Sequence, residues 1–351
     1  MAPAPNPPLP PAPAIPIDDR SAIADARRLV RLHAELAGLD PHRTEEAAIV
    51  VSELATNLLR HAQEGLIIVR SLTPPVEPRG IAIIAVDAGP GTDALDHAFE
   101  DGVSSSGTAG VGLGAIRRLS DTLLFHSFPG LGTALYAEIH ASPGGASPGS
   151  FARHLGIALR QYPNADHCGD GYAVTGTRDH MVFALIDGLG HGAGAATATR
   201  VIADTLLTAS PSADIGSLLA DAHAAARRTR GAAIAVARYL AASGEIEFCG
   251  TGNITTAIVS PGAKPRHLVS TEGTIGHAFH RTLPMRLPLG PDQRLLMASD
   301  GIKSGWTSAD GAAAHHLPPP LQAARILLQH GRATDDASVL IFAPPPQSPA
   351  P

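Results

Sequence analysis

Only two cysteines, Cys168 and Cys249, stand in a chain of 351 residues. That scarcity excludes a disulfide framework and a cysteine zinc site, and both thiols read as ordinary reduced residues of a cytoplasmic protein. Aromatic residues make up 4% of the chain although 44% is hydrophobic. The balance suits a folded, soluble protein, and its many Ala, Gly, Pro and Arg residues read as a bias of genomic base content. There is no excess of basic charge: 26 Lys and Arg against 32 Asp and Glu leave a net charge of -6, which gives no footprint for nucleic acid. No apolar run is long and uncharged enough to span a bilayer. The opening MAPAPNPPLPPAPAIP lacks a basic start and a continuous apolar core, so it is not a secretory signal. It reads as a disordered, polyproline-like tail over residues 1–17, and residues 344–351 read as a second tail.

What is present begins with one helix. In TEEAAIVVSELATNLLRHA (Thr44 to Ala62), Ala47, Val50, Val51, Leu54 and Leu58 recur at three- and four-residue steps. That period predicts an amphipathic helix with Thr44 as its N-cap. Glu53, Asn57 and His61 then form one stripe, four residues apart. On this helix alone a solvated face explains them. A carboxylate beside a carboxamide also suits a proton acceptor next to a hard-cation ligand.

Two glycine loops favour the second reading. AIIAVDAGPG (Ala82 to Gly91) is an apolar strand ending at Asp87 and followed by a turn at Gly89 and Gly91. GTAGVGLGAIRRLSD (Gly107 to Asp121) sets Gly107, Gly110, Gly112 and Gly114 before a helical pattern, where glycine amides form an anion cradle. In this order ELATNLLRHA, DAGPG, GTAGVGLGAIRR and PGLGTAL resemble the successive boxes of the ATP-binding fold of histidine kinases, gyrase and the anti-sigma serine kinases. The connecting HAFEDGVSSSGTAGVGLGAIRRL is similar to the switch kinases of the RsbT/RsbW-like type, which phosphorylate Ser or Thr on STAS-domain proteins.

The resemblance implies a Bergerat-type α/β sandwich over residues 18–140. It implies that Asn57 binds Mg²⁺, that Asp87 contacts the adenine amino group of ATP, that the glycines from Gly107 to Gly114 wrap the phosphates, that Thr133 supports the adenine end, and that Glu53 activates the substrate hydroxyl. Residues 1–43 are too short for the phospho-accepting hairpin of a histidine kinase, so His33 reads as a surface or packing residue. Ser21 to Ala37 reads as a first helix with Ile23, Ala26, Leu29, Val30 and Leu36 on its apolar face. LIIVRSL, IAIIAVDA and TALYAEIH read as strands of a mixed sheet covered by helices on one face. ASPGGASPGS (Ala141 to Ser150) is a linker.

Beyond the linker, acidic residues stand at the ends of strand-like runs: Asp170 in HCGDGYAV, Asp187 in MVFALIDGLGHG, Asp300 in RLLMASDG, and Asp335 with Asp336 in ATDDASVLIF. Singly, each Asp-Gly is a β-turn. Together they could gather carboxylates around two divalent cations, with Mg²⁺ or Mn²⁺ favoured by oxygen ligands. The pattern over residues 151–343 resembles the PPM-type Ser/Thr phosphatases of the SpoIIE/RsbX branch. That resemblance implies an αββα sandwich in which Asp170, Asp187 and the Gly188 carbonyl flank two metals and Asp300 and Asp335 complete the second site; Asp336 is the alternative to Asp335. His191 reads either as an aid to the leaving group or as a loop residue packed beside the site, Gly252 and Asn253 as a tight turn, and Trp306 and Tyr172 as packing or rim residues.

The expectation is therefore a two-domain α+β protein that phosphorylates and dephosphorylates a STAS-domain partner in a stress or sigma-factor pathway, without nucleic acid or membrane. Two alternatives stay open: a phosphatase whose ATP-binding domain only senses nucleotide or docks a partner, and a non-catalytic module that sequesters a sigma factor or switch protein.

Overall fold

The computed structural model describes residues 13–62, 64–72, 78–92, 111–144, 151–163, 165–177, 179–281, 283–306 and 314–345. Helix α1 (Arg20–Leu36) starts where the Asp19 carboxylate accepts the amides of Ser21 and Ala22. Helix α2 (Pro41–His61) starts three residues before the expected Thr44. Asp40 takes the cap by accepting the Arg43 amide at 2.8 Å, and Pro41 occupies the first turn, where a missing N–H costs nothing. The aliphatic stripe expected on α2 is buried, and so are Ala26 and Val30 of α1. Leu36 departs from the expectation at 43% exposure, because it lies off the Ala26, Val30, Ala34 line that faces the sheet.

These helices cover one face of a five-stranded sheet, ordered β1-β2-β3-β5-β4. Its strands are β1 (Ile15–Pro16), β2 (Gly65–Leu72), β3 (Gly80–Asp87), β4 (Thr122–Phe128) and β5 (Gly132–His140), with α3 (Val111–Leu119) before β4. Every pairing is antiparallel, not mixed as the sequence suggested. Two strands escaped the sequence reading. β1 lies in the stretch read as tail, with Ile15 opposite Ile67, and β4 pairs along its whole length with residues 132–138 of β5.

The second half is a sandwich of two antiparallel sheets. One is ordered β13-β10-β9-β8-β7 and the other β12-β11-β14-β15-β6. The strands are β6 (Leu155–Arg160), β7 (Asp170–Gly176), β8 (His180–Gly188), β9 (Ala232–Leu240), β10 (Glu245–Thr251), β11 (Thr255–Val259), β12 (Arg266–Leu268), β13 (Met285–Pro288), β14 (Arg294–Ala298) and β15 (Ala337–Phe342). Alternate residues of these strands turn inward, so that Ile157, Phe183, Leu185, Phe248, Met297, Leu340 and Phe342 meet between the sheets. Helices α4 (Ala193–Thr208) and α5 (Ile215–Ala226) cover the outer face of the first sheet through Ile202, Leu206 and Leu219.

The outer face of the other sheet carries α6 (Pro319–His330). Alternation along β2, β3 and β5 sends Ile67, Val69, Ile83 and Ile139 toward α1 and α2, and Ile68, Ile84 and Tyr136 the opposite way. That opposite face packs on α6. Leu321, Ala324 and Leu327 of α6 share one continuous core with Ile68, Ile84 and Tyr136 on one side and Ala158, Val339 and Ile341 on the other, and Trp306 belongs to the same core. Trp306 is thus a packing residue. Among the described residues, no helix is long and apolar enough to cross a membrane.

Because both sheets lose their cover if α6 loosens, Leu321→Ala should destabilise the two halves together. We expect a loss of about 2–5 kcal/mol, typical of truncating a buried leucine, within a single cooperative transition in urea followed by circular dichroism. Two resolved transitions with only one displaced would contradict the shared core.

Candidate functional sites

The nucleotide-type residues gather at one end of the first sheet. Asp87 closes β3, and its Oδ1 accepts the amides of Gly89 at 2.7 Å and Thr133 at 3.2 Å. Among the described residues, no hydrogen bond is made to its Oδ2. Burial pushes the Asp87 carboxyl above its ordinary range, and the two amides and the nearby Arg325 and His61 oppose that. Gly132 adopts φ +91° against the Asp87 backbone, where any side chain would collide. The Thr133 hydroxyl bonds Ser127 Oγ at 2.9 Å, which in turn accepts the Thr92 amide at 2.8 Å.

Helix α2 supplies the opposite wall. A side chain at Gly112, in the first turn of α3, would strike the Glu53 carboxylate, and one at Gly89 would meet the His61 carbonyl. Asn57 lies one turn from each, on the same stripe. Gly91 completes the turn after Asp87 at φ +64°, and Gly114 is buried within α3. Gly107 and Gly110 lie outside the described residues. His33 proves to be packing: it is buried, its Nδ1 pairs with Ser71 Oγ at 2.8 Å, and burial pushes its pKa down to about 4.

The carboxylates gather at one edge of the sandwich. Asp170, first in β7, stands directly opposite Asp187, near the end of β8. Asp170 Oδ2 accepts Ser299 Oγ at 2.7 Å, and Ser299 Oγ accepts the Ser338 amide at 2.9 Å. Asp300 follows β14, and its Oδ2 accepts Asn253 Nδ2 at 2.9 Å. Burial pushes Asp170 and Asp187 well up; Asp170, Asp300, Asp335 and Asp336 add repulsion at Asp187, while Ser299 and Ser338 relieve Asp170. Among the described residues, no three His, Cys, Asp or Glu side chains stand close enough together to hold a metal ion.

Comparison with known proteins fits this division. Residues 15–138 match the histidine kinase-like ATPase domain, and residues 177–344 match Stage II sporulation protein E (SpoIIE). The chain joins a histidine kinase-like ATPase domain to a SpoIIE domain. The serine/threonine-protein kinase RsbT of Bacillus subtilis is 35% identical over 115 residues, covering 33% of this chain and 86% of RsbT. Among solved structures, the RsbU and RsbW domains of a Mycobacterium tuberculosis protein align at 18% identity and TM-score 0.48, over 56% of this chain and 62% of that one. RsbX in complex with magnesium aligns at 18% identity and TM-score 0.46, over 53% of this chain and 92% of RsbX.

Within the SpoIIE domain the two adjacent aspartates differ. Asp336 is buried with both oxygens committed, Oδ1 to the Tyr162 amide at 2.7 Å and Oδ2 to the Gly169 amide at 2.8 Å. Asp335 Oδ1 accepts the Asp336 amide at 2.9 Å, among the described residues no hydrogen bond is made to its other oxygen, and Asp300 and Asp336 are close enough to repel its charge. The His191 ring packs on Tyr162 with centroids 4.9 Å apart. The sequence reading missed Asn253 and Ser299: the first sat in a Gly-Asn pair read as a turn, and the second stood beside Asp300 without a charge to mark it.

A carboxyl raised in the folded state is protonated there while the unfolded chain has already ionised, so stability falls as pH climbs from about 4 through the raised value. In protein stripped of divalent ions, Asp187→Asn should therefore stabilise by roughly 1–2 kcal/mol at pH 8, with the gain vanishing near pH 4. Urea denaturation at the two pH values measures it; a stability loss at pH 8 would mean that the Asp187 charge is already compensated.

Proposed function

We propose that this chain sets the phosphorylation state of a STAS-domain partner in a partner-switching pathway. The ATPase domain phosphorylates a Ser or Thr of the partner, and the SpoIIE domain removes the phosphate. The direction of the first activity follows the likeness to RsbT, which is named a serine/threonine-protein kinase. The observation that carries the second is the Asp170–Asp187 pair: two carboxylates face each other across β7 and β8, and at Asp187 burial is joined by the like charges of Asp170, Asp300, Asp335 and Asp336. Such an arrangement suits cations better than any protein group.

In this reading Glu53 takes the proton of the attacking hydroxyl, Asn57 holds Mg²⁺, and Asp87 Oδ2 accepts the adenine amino group. Gly112 and Gly114, together with Gly107 and Gly110, follow the phosphates. Gly89, Gly91 and Thr133 keep the adenine end in shape by fixing Asp87 Oδ1 and the turn beyond it. In the SpoIIE domain Asp170, Asp187, the Gly188 carbonyl, Asp300 and Asp335 hold two Mn²⁺ or Mg²⁺ ions. When bound, such ions lower the pKa of water and neutralise charge on a phosphoryl group. Asn253 and Ser299 orient Asp300 and Asp170, and Asp336 ties the 162–169 loop to the site.

The test is mass spectrometry of a STAS protein incubated with the chain and ATP, then with Mn²⁺ alone. The Asp170→Ala variant should accumulate phosphorylated partner, and Asn57→Ala should yield on the order of a hundredfold less, as expected when a metal ligand at a phosphoryl-transfer site is lost. Wild type with Mn²⁺ should remove the phosphate, and Asp187→Ala should not. If Asp170→Ala transfers no phosphate, the kinase half is wrong; if Asp187→Ala dephosphorylates like wild type, the phosphatase half is.

A further inference from the structure

We propose that Arg325, a residue of the SpoIIE domain, is a positioning residue of the nucleotide site in the ATPase domain. The inference rests on the nucleotide-binding reading above and adds a residue from outside the ATPase family match, which ends at residue 138. Arg325 lies on α6 and is only 6% exposed. Its Nη2 donates to the Leu131 carbonyl at 2.6 Å. Leu131 is at the tip of the β4–β5 hairpin and is itself 54% exposed. Water could satisfy that carbonyl, so the hairpin has no need of a buried guanidinium for its own hydrogen bonding.

What the contact does is fix the tip against Asp87. On one side of Leu131 the Gly130 amide bonds the Pro90 carbonyl at 2.6 Å, within the turn that follows Asp87. On the other side Gly132 lies against the Asp87 backbone, and the Thr133 amide reaches Asp87 Oδ1 at 3.2 Å. The residues flanking Leu131 thus hold the carboxylate or its turn, and Arg325 grips the carbonyl in their midst. The guanidinium also stands near enough to Asp87 to favour its ionised form. A neighbouring domain therefore fixes where the adenine-facing oxygen points, and the ATPase domain alone lacks that fixture.

The experiment compares full-length wild type, Arg325→Ala and Arg325→Lys by titrating fluorescent N-methylanthraniloyl-ADP with Mg²⁺, alongside thermal unfolding by circular dichroism. Arg325→Ala should weaken nucleotide binding about tenfold, as loss of a charged hydrogen bond would. Arg325→Lys keeps one donor and the positive charge, and should recover most of the affinity. Equal affinity in Arg325→Ala and wild type overturns the assignment while leaving the nucleotide reading intact. So does an Arg325→Lys variant that melts like wild type and binds as weakly as Arg325→Ala. A wild type that does not bind the probe overturns the nucleotide reading itself.

Discussion

The structure depends on one helix serving as cover for two sheets. An antiparallel sheet can leave one face to water, but in this chain the face of the first sheet opposite α1 and α2 is aliphatic, with Ile68, Ile84 and Tyr136 all buried. The outer face of the β6–β15 side of the sandwich is equally apolar, through Ala158, Val339 and Ile341. α6 meets both demands, which explains why it is buried almost all round: Leu321, Ala323, Ala324, Ile326 and Leu327 leave it no wet stripe. The order of layers is therefore helices, sheet, α6, sheet, sheet, helices. Separating the halves would expose two apolar faces at once.

Electrostatics runs against packing at the sandwich edge. The β7–β8 register that buries Ala173 against Ala184 also puts Asp170 opposite Asp187, since one ladder fixes every pair along it. Burial and like charge both disfavour ionisation there. The surrounding acids divide the work. Asp336 spends both oxygens on backbone amides and so acts as a bracket for the 162–169 loop, whereas Asp187, Asp300 and Asp335 keep acceptor capacity. Their neighbours Ser299 and Asn253 orient oxygens of Asp170 and Asp300 without neutralising them.

Much of this was legible in the sequence where a periodic signal existed. The three- and four-residue steps of Ala47 to Leu58 marked the core face of α2, and the strand-end positions of Asp87, Asp170, Asp187 and Asp300 marked the edges where the acids stand. The misses have physical causes. Asp40 competes with Thr44 as a cap, and Pro41 decides for the earlier start. β4 alternates weakly and is recognised only by pairing with β5. β1 is two residues long and owes its existence to the open edge of β2. Nothing local tells Asp335 from Asp336, because the difference lies in amides of Tyr162 and Gly169, 174 and 167 residues before Asp336 in the chain. Nor does PPPLQAARILLQH show that it is covered on both sides, since an all-round apolar helix states only that it is buried.

The same helix supports both sites. Near its middle Arg325 holds the hairpin beside Asp87. At its C-terminal end the His330 carbonyl accepts the Lys303 amide at 2.8 Å, the Arg332 amide donates to the Gly301 carbonyl at 2.7 Å, and Arg332 Nε donates to the Asp300 carbonyl at 3.1 Å. From Arg325 to Gly331 the helix axis rises about 9 Å. Over that length a close-packed layer moves as a unit, because interiors at crystal-like density have no slack in which one turn could shift alone. Displacing α6 to follow the β4–β5 hairpin would therefore also displace the backbone that carries Asp300. The two candidate sites thus share a scaffold element: α6 holds the hairpin beside Asp87 near its middle and the backbone around Asp300 at its C-terminal end.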